Sequence, residues 1–119
     1  MKIAYFDCPS GAAGDMIMGA LVDAGVPLDA LRAELRKLPL HGWELTAREV
    51  RKGPIRAPKV DVQIDGRAHQ EHRSLGDILA ILERSSLAAP VKEKAERIFT
   101  RLAEAEARAR AVADQARAK

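Results

Sequence analysis

The spacing of apolar positions changes several times along the chain, and each change marks an element. Ile3 to Cys8 is a short, nearly continuous apolar and aromatic run, which predicts a strand buried on both faces. It breaks at Pro9-Ser10-Gly11-Ala12-Ala13-Gly14. From Asp15 to Ala24 the residues Met16, Ile17, Ala20, Leu21 and Ala24 keep helical spacing, and Gly25 followed by Pro27 supplies a stop. Leu28, Leu31, Leu35 and Leu38 recur at intervals of three and four, predicting a second helix that Pro39 ends. Trp43 to Val50 alternates imperfectly, whereas Val60, Val62 and Ile64 alternate with Asp61, Gln63 and Asp65, the pattern of a strand with one wet face. These two segments predict a hairpin connected through Arg51 to Ala57, which holds Gly53-Pro54. Ser74, three residues before Asp77, is placed to cap a helix whose buried face is Leu75, Ile78, Leu79 and Leu82. A last helix follows Ser85-Ser86, with Pro90 in its first turn and a stripe of Ala95, Ile98, Phe99 and Leu102.

The predicted order is β-α-α-β-β-α-α, an α+β fold with helices packed on a small mixed β-sheet. Residues 1–102 read as a single domain. Residues 103–119 read as a helical tail of alanine and charge, with high helix propensity and little apolar surface to bury. At 119 residues, 47% hydrophobic and 31% charged, the chain predicts one compact domain that buries roughly two thirds of its unfolded surface. An aromatic content of 3% leaves the core to aliphatic side chains.

Charge narrows the partners. Twenty basic residues stand against 17 acidic ones, interleaved rather than gathered in a one-sign stripe, which argues against a nucleic-acid partner. The single cysteine rules out an internal disulfide. The opening residues have neither the apolar core nor the cleavage site of a signal peptide, and no apolar run nears the roughly 20 residues a bilayer needs. The expectation is a cytoplasmic protein without a membrane partner.

The candidate chemistry lies first at Asp7-Cys8-Pro9-Ser10-Gly11-Ala12-Ala13-Gly14-Asp15, a strand-to-helix junction. Glycines at 11 and 14 let the backbone approach a ligand, and unpaired amides at the helix start favour an anion such as phosphate. The junction lacks the Lys-[Ser/Thr] ending of a P-loop and the glycine spacing of a dinucleotide fingerprint. The simpler reading, a tight turn with Ser10 or Asp15 capping the helix, stays open. Asp7 is suited to hold a metal or act as a base, and Cys8 to supply a soft thiolate, against the alternative of a small buried hydrophobe. His69-Gln70-Glu71-His72 places two imidazoles three positions apart, which fits nickel, copper or zinc if a third ligand such as Cys8 or Asp7 joins them. A solvated loop is the alternative. Arg51, Lys52, Arg56 and Lys59 cluster about the hairpin connection, where they suit a phosphorylated ligand or serve only solubility.

Met1-Lys-Ile-Ala-Tyr-Phe-Asp-Cys-Pro-Ser-Gly-Ala-Ala-Gly-Asp-Met16 and Gly19-Ala-Leu-Val-Asp-Ala-Gly-Val-Pro27 resemble the opening of the LarC family of nickel-insertion proteins. Arg51-Lys-Gly-Pro-Ile-Arg-Ala-Pro-Lys-Val60, Ser74-Leu-Gly-Asp-Ile78, Ser85-Ser-Leu87 and Ile98 to Ala107 resemble later segments of that family in the same order. The resemblance implies the N-terminal part of a CTP-dependent nickel chelatase, a lyase. Its substrate would be pyridinium-3,5-bisthiocarboxylic acid mononucleotide, and its product the nickel-pincer nucleotide cofactor of lactate racemase. It also implies that the loop from Asp7 to Asp15 faces the ligand, with Asp7, Ser10 and Asp15 as its polar members and catalytic candidates. On the residue reading above, Gly11 and Gly14 are the cofactor-binding candidates and Cys8, His69 and His72 the metal-ligand candidates.

Two departures accompany it. Family members often carry a longer histidine-rich stretch than His69 and His72. They also continue past Ala107 into a C-terminal domain resembling a CTP-binding part, which Arg108 to Lys119 does not match. A module inactive by itself is therefore expected, completed by a C-terminal domain or a separate partner chain, with a homo-oligomer left open. The competing functions are a non-catalytic interaction module docking through its last helix, and a stand-alone binder of a phosphorylated ligand.

Overall fold

A computed structural model describes residues 1–66 and 73–117. Its elements are α1 (Gly14–Asp23), α2 (Leu28–Leu35), β1 (Trp43–Lys52), β2 (Ile55–Ile64), α3 (Leu75–Arg84) and α4 (Ala89–Arg117). The α+β class holds, in the order α-α-β-β-α-α. The sheet is a two-stranded antiparallel hairpin rather than a mixed sheet.

The leading strand expected at Ile3–Cys8 is absent: these residues form no ladder, and every side chain in the segment is exposed. A strand exists only with a partner to take its amides and carbonyls, and an apolar sequence does not supply one. The described residues of Met1–Ala33 and Gly42–Ala68 make one compact unit, and those of Glu34–His41 and His69–Lys119 make another.

In the first unit, β1 and β2 pair from Trp43↔Ile64 to Lys52↔Ile55. Both strands run closer to the turn than the alternation predicted, leaving only Gly53-Pro54 between them. Gly53 at φ +61 followed by a proline locked at negative φ gives the type II′ combination that matches hairpin twist. Leu45 and Val60 lie diagonally on one face and are fully buried. On the opposite face Asp61 pairs with Arg48 at 2.9 Å and Lys59 at 3.0 Å. The side-chain hydrogen bond from Lys59, then that from Arg48, holds the Asp61 carboxyl below the usual carboxylate range. Helix α1 packs on β2 through Gly19, where a Cβ would stand 2.9 Å from the Pro58 carbonyl oxygen. Arg32 of α2 donates from both Nε and Nη2 to the Leu45 carbonyl and pairs with Glu44 at 3.0 Å.

In the second unit, α3 and α4 pack together. Ser74 caps α3 as predicted: its Oγ accepts the Asp77 amide at 3.2 Å, and its own amide donates to Asp77 Oδ2 at 2.8 Å. The Ser74 hydroxyl, then the Ser74 amide, holds the Asp77 carboxyl below its ordinary value. Leu82 and Ser85 are buried, with Ser85 Oγ donating to the Leu82 carbonyl at 2.6 Å. The expected α4 stripe is split. Ala95 and Phe99 turn inward with Glu96, Thr100 and Ala103, while Ile98 and Leu102 are 62% and 53% exposed.

Among the described residues the buried apolar side chains are Leu45, Val60 and Leu82.

Candidate functional site

The junction between residues 7 and 15 is built by a turn and an uncapped helix. The Gly11 amide donates to the Cys8 carbonyl at 3.1 Å, closing a turn over Pro9 and Ser10. Gly11 itself sits at φ +80, a left-handed conformation that glycine adopts without steric cost. Ala13 is the N-cap, and its carbonyl accepts the Ile17 amide at 3.0 Å. Alanine offers no side-chain acceptor, so Ser10 does not cap the helix as the simple turn reading expected. Asp15, in the first turn, accepts the Met16 amide on Oδ1 at 2.9 Å. The positive end of α1 thus already meets a carboxylate, and an incoming phosphate would compete with Asp15 there.

Beside this turn lies an open hollow of about 320 Å³. Asp7, Cys8, Ser10 and Gly11 line one side of it; Gly14 and Asp15 do not reach it. Its apolar floor comes from Phe6 and from Met16, Ile17 and Ala20 of α1. Phe6, Met16 and Ile17 are 47%, 54% and 38% exposed, so the floor faces outward. The expected buried strand placed Phe6 in the core, and periodicity gave Met16 and Ile17 a common helix face without saying whether another layer covers it. Cys8 is an exposed free thiol, which sets aside the buried-hydrophobe alternative.

His69 and His72 lie outside the described residues, and among the described residues no three His, Cys, Asp or Glu side chains converge as a metal site. Of the basic cluster, Arg56 pairs with Glu49 at 3.2 Å and Lys59 with Asp61 at 3.0 Å. A second hollow of about 380 Å³ there carries Asp23 and Glu49 as well as Arg48 and Arg56. Its mixed charge offers a phosphate no net attraction. No described helix is long and apolar enough to cross a membrane.

The family model for nickel insertion proteins matches residues 4–116. The chain belongs to that family. The match runs well past Ala107, so most of the segment that the motif comparison left unmatched is part of the family's sequence. Three curated relatives of the family each bear the name "Putative nickel insertion protein". The one from Geotalea uraniireducens is 47% identical over 94% of this chain, that from Wolinella succinogenes 49% over 91%, and that from Gloeobacter violaceus 50% over 90%. These matches cover 29%, 28% and 26% of the respective relatives, so the chain spans less than a third of their length. No solved structure matches the chain. Membership in a nickel insertion family ties the family's activity to nickel.

Proposed function

We propose that this chain is the N-terminal, substrate-handling module of a LarC-type cyclometallase. In this reading the complete protein inserts nickel into pyridinium-3,5-bisthiocarboxylic acid mononucleotide, forming the nickel-pincer nucleotide cofactor of lactate racemase. The observation that carries the reading is the open hollow with an apolar floor and an acidic rim, in a chain of the nickel insertion family.

A pyridinium ring is flat, apolar over its faces and positively charged. Phe6 offers it an aromatic face, Met16 a polarizable thioether, and Asp7 a compensating carboxylate. Ser10 supplies a hydroxyl donor at the rim. Thiocarboxylate sulfur is a soft donor that suits nickel, and Cys8 brings a second soft sulfur to the same hollow. His69 and His72 are the nitrogen donors that would deliver nickel to it. CTP belongs, on this reading, to a C-terminal domain or separate partner chain, and the isolated module does not turn over.

The test is a titration of the mononucleotide into the chain, read by amide NMR shifts. Shifts are expected at Phe6 to Gly11, and Phe6→Ala and Asp7→Asn are each expected to weaken binding about tenfold, a loss of ~1.4 kcal/mol. Silent amides in that stretch, or wild-type affinity in both variants, would remove the reading.

A further inference from the structure

We propose that Ile3–Cys8 is a docking strand that adds to an open sheet edge in the polypeptide filling the remaining length of the curated relatives. This rests in part on the functional reading, because Phe6, Asp7 and Cys8 of the segment also line the hollow. Ile3 and Tyr5 alternate with Ala4 and Phe6, so an extended chain presents apolar side chains on both sides. Ile3 and Tyr5 are 79% and 87% exposed and the segment has no ladder partner. The family match begins at residue 4, inside the segment, which makes the segment part of the family's sequence rather than a dispensable leader.

The chain's own hairpin is a poor host. In β1 the Leu45 carbonyl is taken by Arg32, and in β2 Pro58 has no amide hydrogen to give. A second copy brings the same hairpin, and two copies of the segment paired with each other would form a bare two-stranded ribbon, which is marginal in water. A strand apolar on both sides needs a sheet covered on both faces. The first relative continues over the 71% of its length outside the match (100 − 29), ample chain for such a sheet. Strand addition draws affinity from main-chain hydrogen bonds and specificity from alternate side-chain pockets. Here a pocket on one face would receive Tyr5, while Phe6 on the other face stays at the hollow. Docking would also place a partner surface against the hollow that Phe6, Met16 and Ile17 leave open.

The test mixes this chain with the unmatched portion of the Wolinella succinogenes relative, produced as a separate polypeptide, and follows association by calorimetry and amide hydrogen exchange. A complex is expected in which the amides of Ile3 to Asp7 exchange at least about 100-fold more slowly than in the free chain. Tyr5→Asp is expected to weaken association at least about tenfold, while Tyr5→Phe retains it. The proposal is overturned by a soluble, folded portion that does not bind, by a complex with unslowed amides, by unimpaired Tyr5→Asp, or by slowing that grows with this chain's own concentration. Should the separate portion fail to fold, the same exchange is read in the full-length Wolinella protein. Fast exchange in the stretch aligned with residues 4–7 then overturns the proposal. Slowed amides together with a silent mononucleotide titration would sink the functional reading and leave strand addition standing, and the reverse pair of results would do the opposite.

Discussion

Gly19 shows how one residue joins two elements. Its missing Cβ lets α1 approach β2 until the Pro58 carbonyl oxygen lies 2.9 Å from where that atom would be. Gly19→Ala gains at most ~1 kcal/mol of helix propensity, whereas forcing a methyl against backbone costs ~1–3 kcal/mol. The clash should win, and a urea melt is expected to show the variant about 1–2 kcal/mol less stable. Unchanged stability would mean that α1 does not rest on β2. At Asp77 the effect is electrostatic. Its folded pKa is lowered, so its contribution is present above the unfolded value of ~3.9 and is lost as pH falls through the lower folded one. The carboxyl resonance of Asp77 should therefore titrate below that of an ordinary aspartate, and Ser74→Ala should return it toward the ordinary value. Coincident titrations in the two proteins would refute the capping box as the cause. Ser74 and Asp77 were legible in the sequence because a cap is a local motif. The contact at Gly19 was not, because nothing near residue 19 announces Pro58.

At the scale of elements, α4 separates periodicity from burial. Ala95, Ile98, Phe99 and Leu102 all fit one helical stripe by spacing, yet α3 covers only the side bearing Ala95 and Phe99. Val91, Ile98 and Leu102 form a second apolar line, 49%, 62% and 53% exposed. The double variant Ile98→Glu with Leu102→Glu is expected to stay within about 0.5 kcal/mol of wild type per site, while Phe99→Ala loses about 2–3 kcal/mol. Denaturant melts of the two proteins decide the matter, and equal losses would place Ile98 and Leu102 in the core after all. Light scattering on the same double variant addresses the interaction-module function, since a docking role for this line requires assembly in the wild type that the charges abolish. The hairpin was read more faithfully. Val60, Val62 and Ile64 share one face and Asp61 and Gln63 the other, with Gly53-Pro54 as the turn, but of the three apolar residues only Val60 is buried, Val62 and Ile64 being 47% and 55% exposed. Turn chemistry and a period of two are properties of adjacent residues, so sequence suffices for them.

For the whole molecule, the controlling quantity is uncovered surface. Exposed large apolar side chains occur in both units: Met1, Ile3, Tyr5, Phe6, Met16 and Ile17 around the candidate site, Ile55, Val62 and Ile64 on the hairpin, and Val91, Ile98, Leu102 and Val112 on α4. The segment Ile3–Cys8, which finds no ladder partner, also supplies Phe6, Asp7 and Cys8 to the open hollow. The composition nevertheless satisfied the expectation for a closed domain. Hydrophobic content counts what can be buried and carries no information about what buries it.

The sequence by itself determined the helices, the hairpin, the α3 cap and the family, because each is encoded in neighbouring residues or in motifs kept in order. It also put forward the junction from Asp7 to Asp15 as a candidate ligand site. Only the tertiary structure decided that Ile3–Cys8 has no sheet to join and that Phe6, Met16 and Ile17 floor an open hollow. Those outcomes depend on which distant groups are within reach to bond or bury a side chain, and reach in space is not written in the order of residues along the chain.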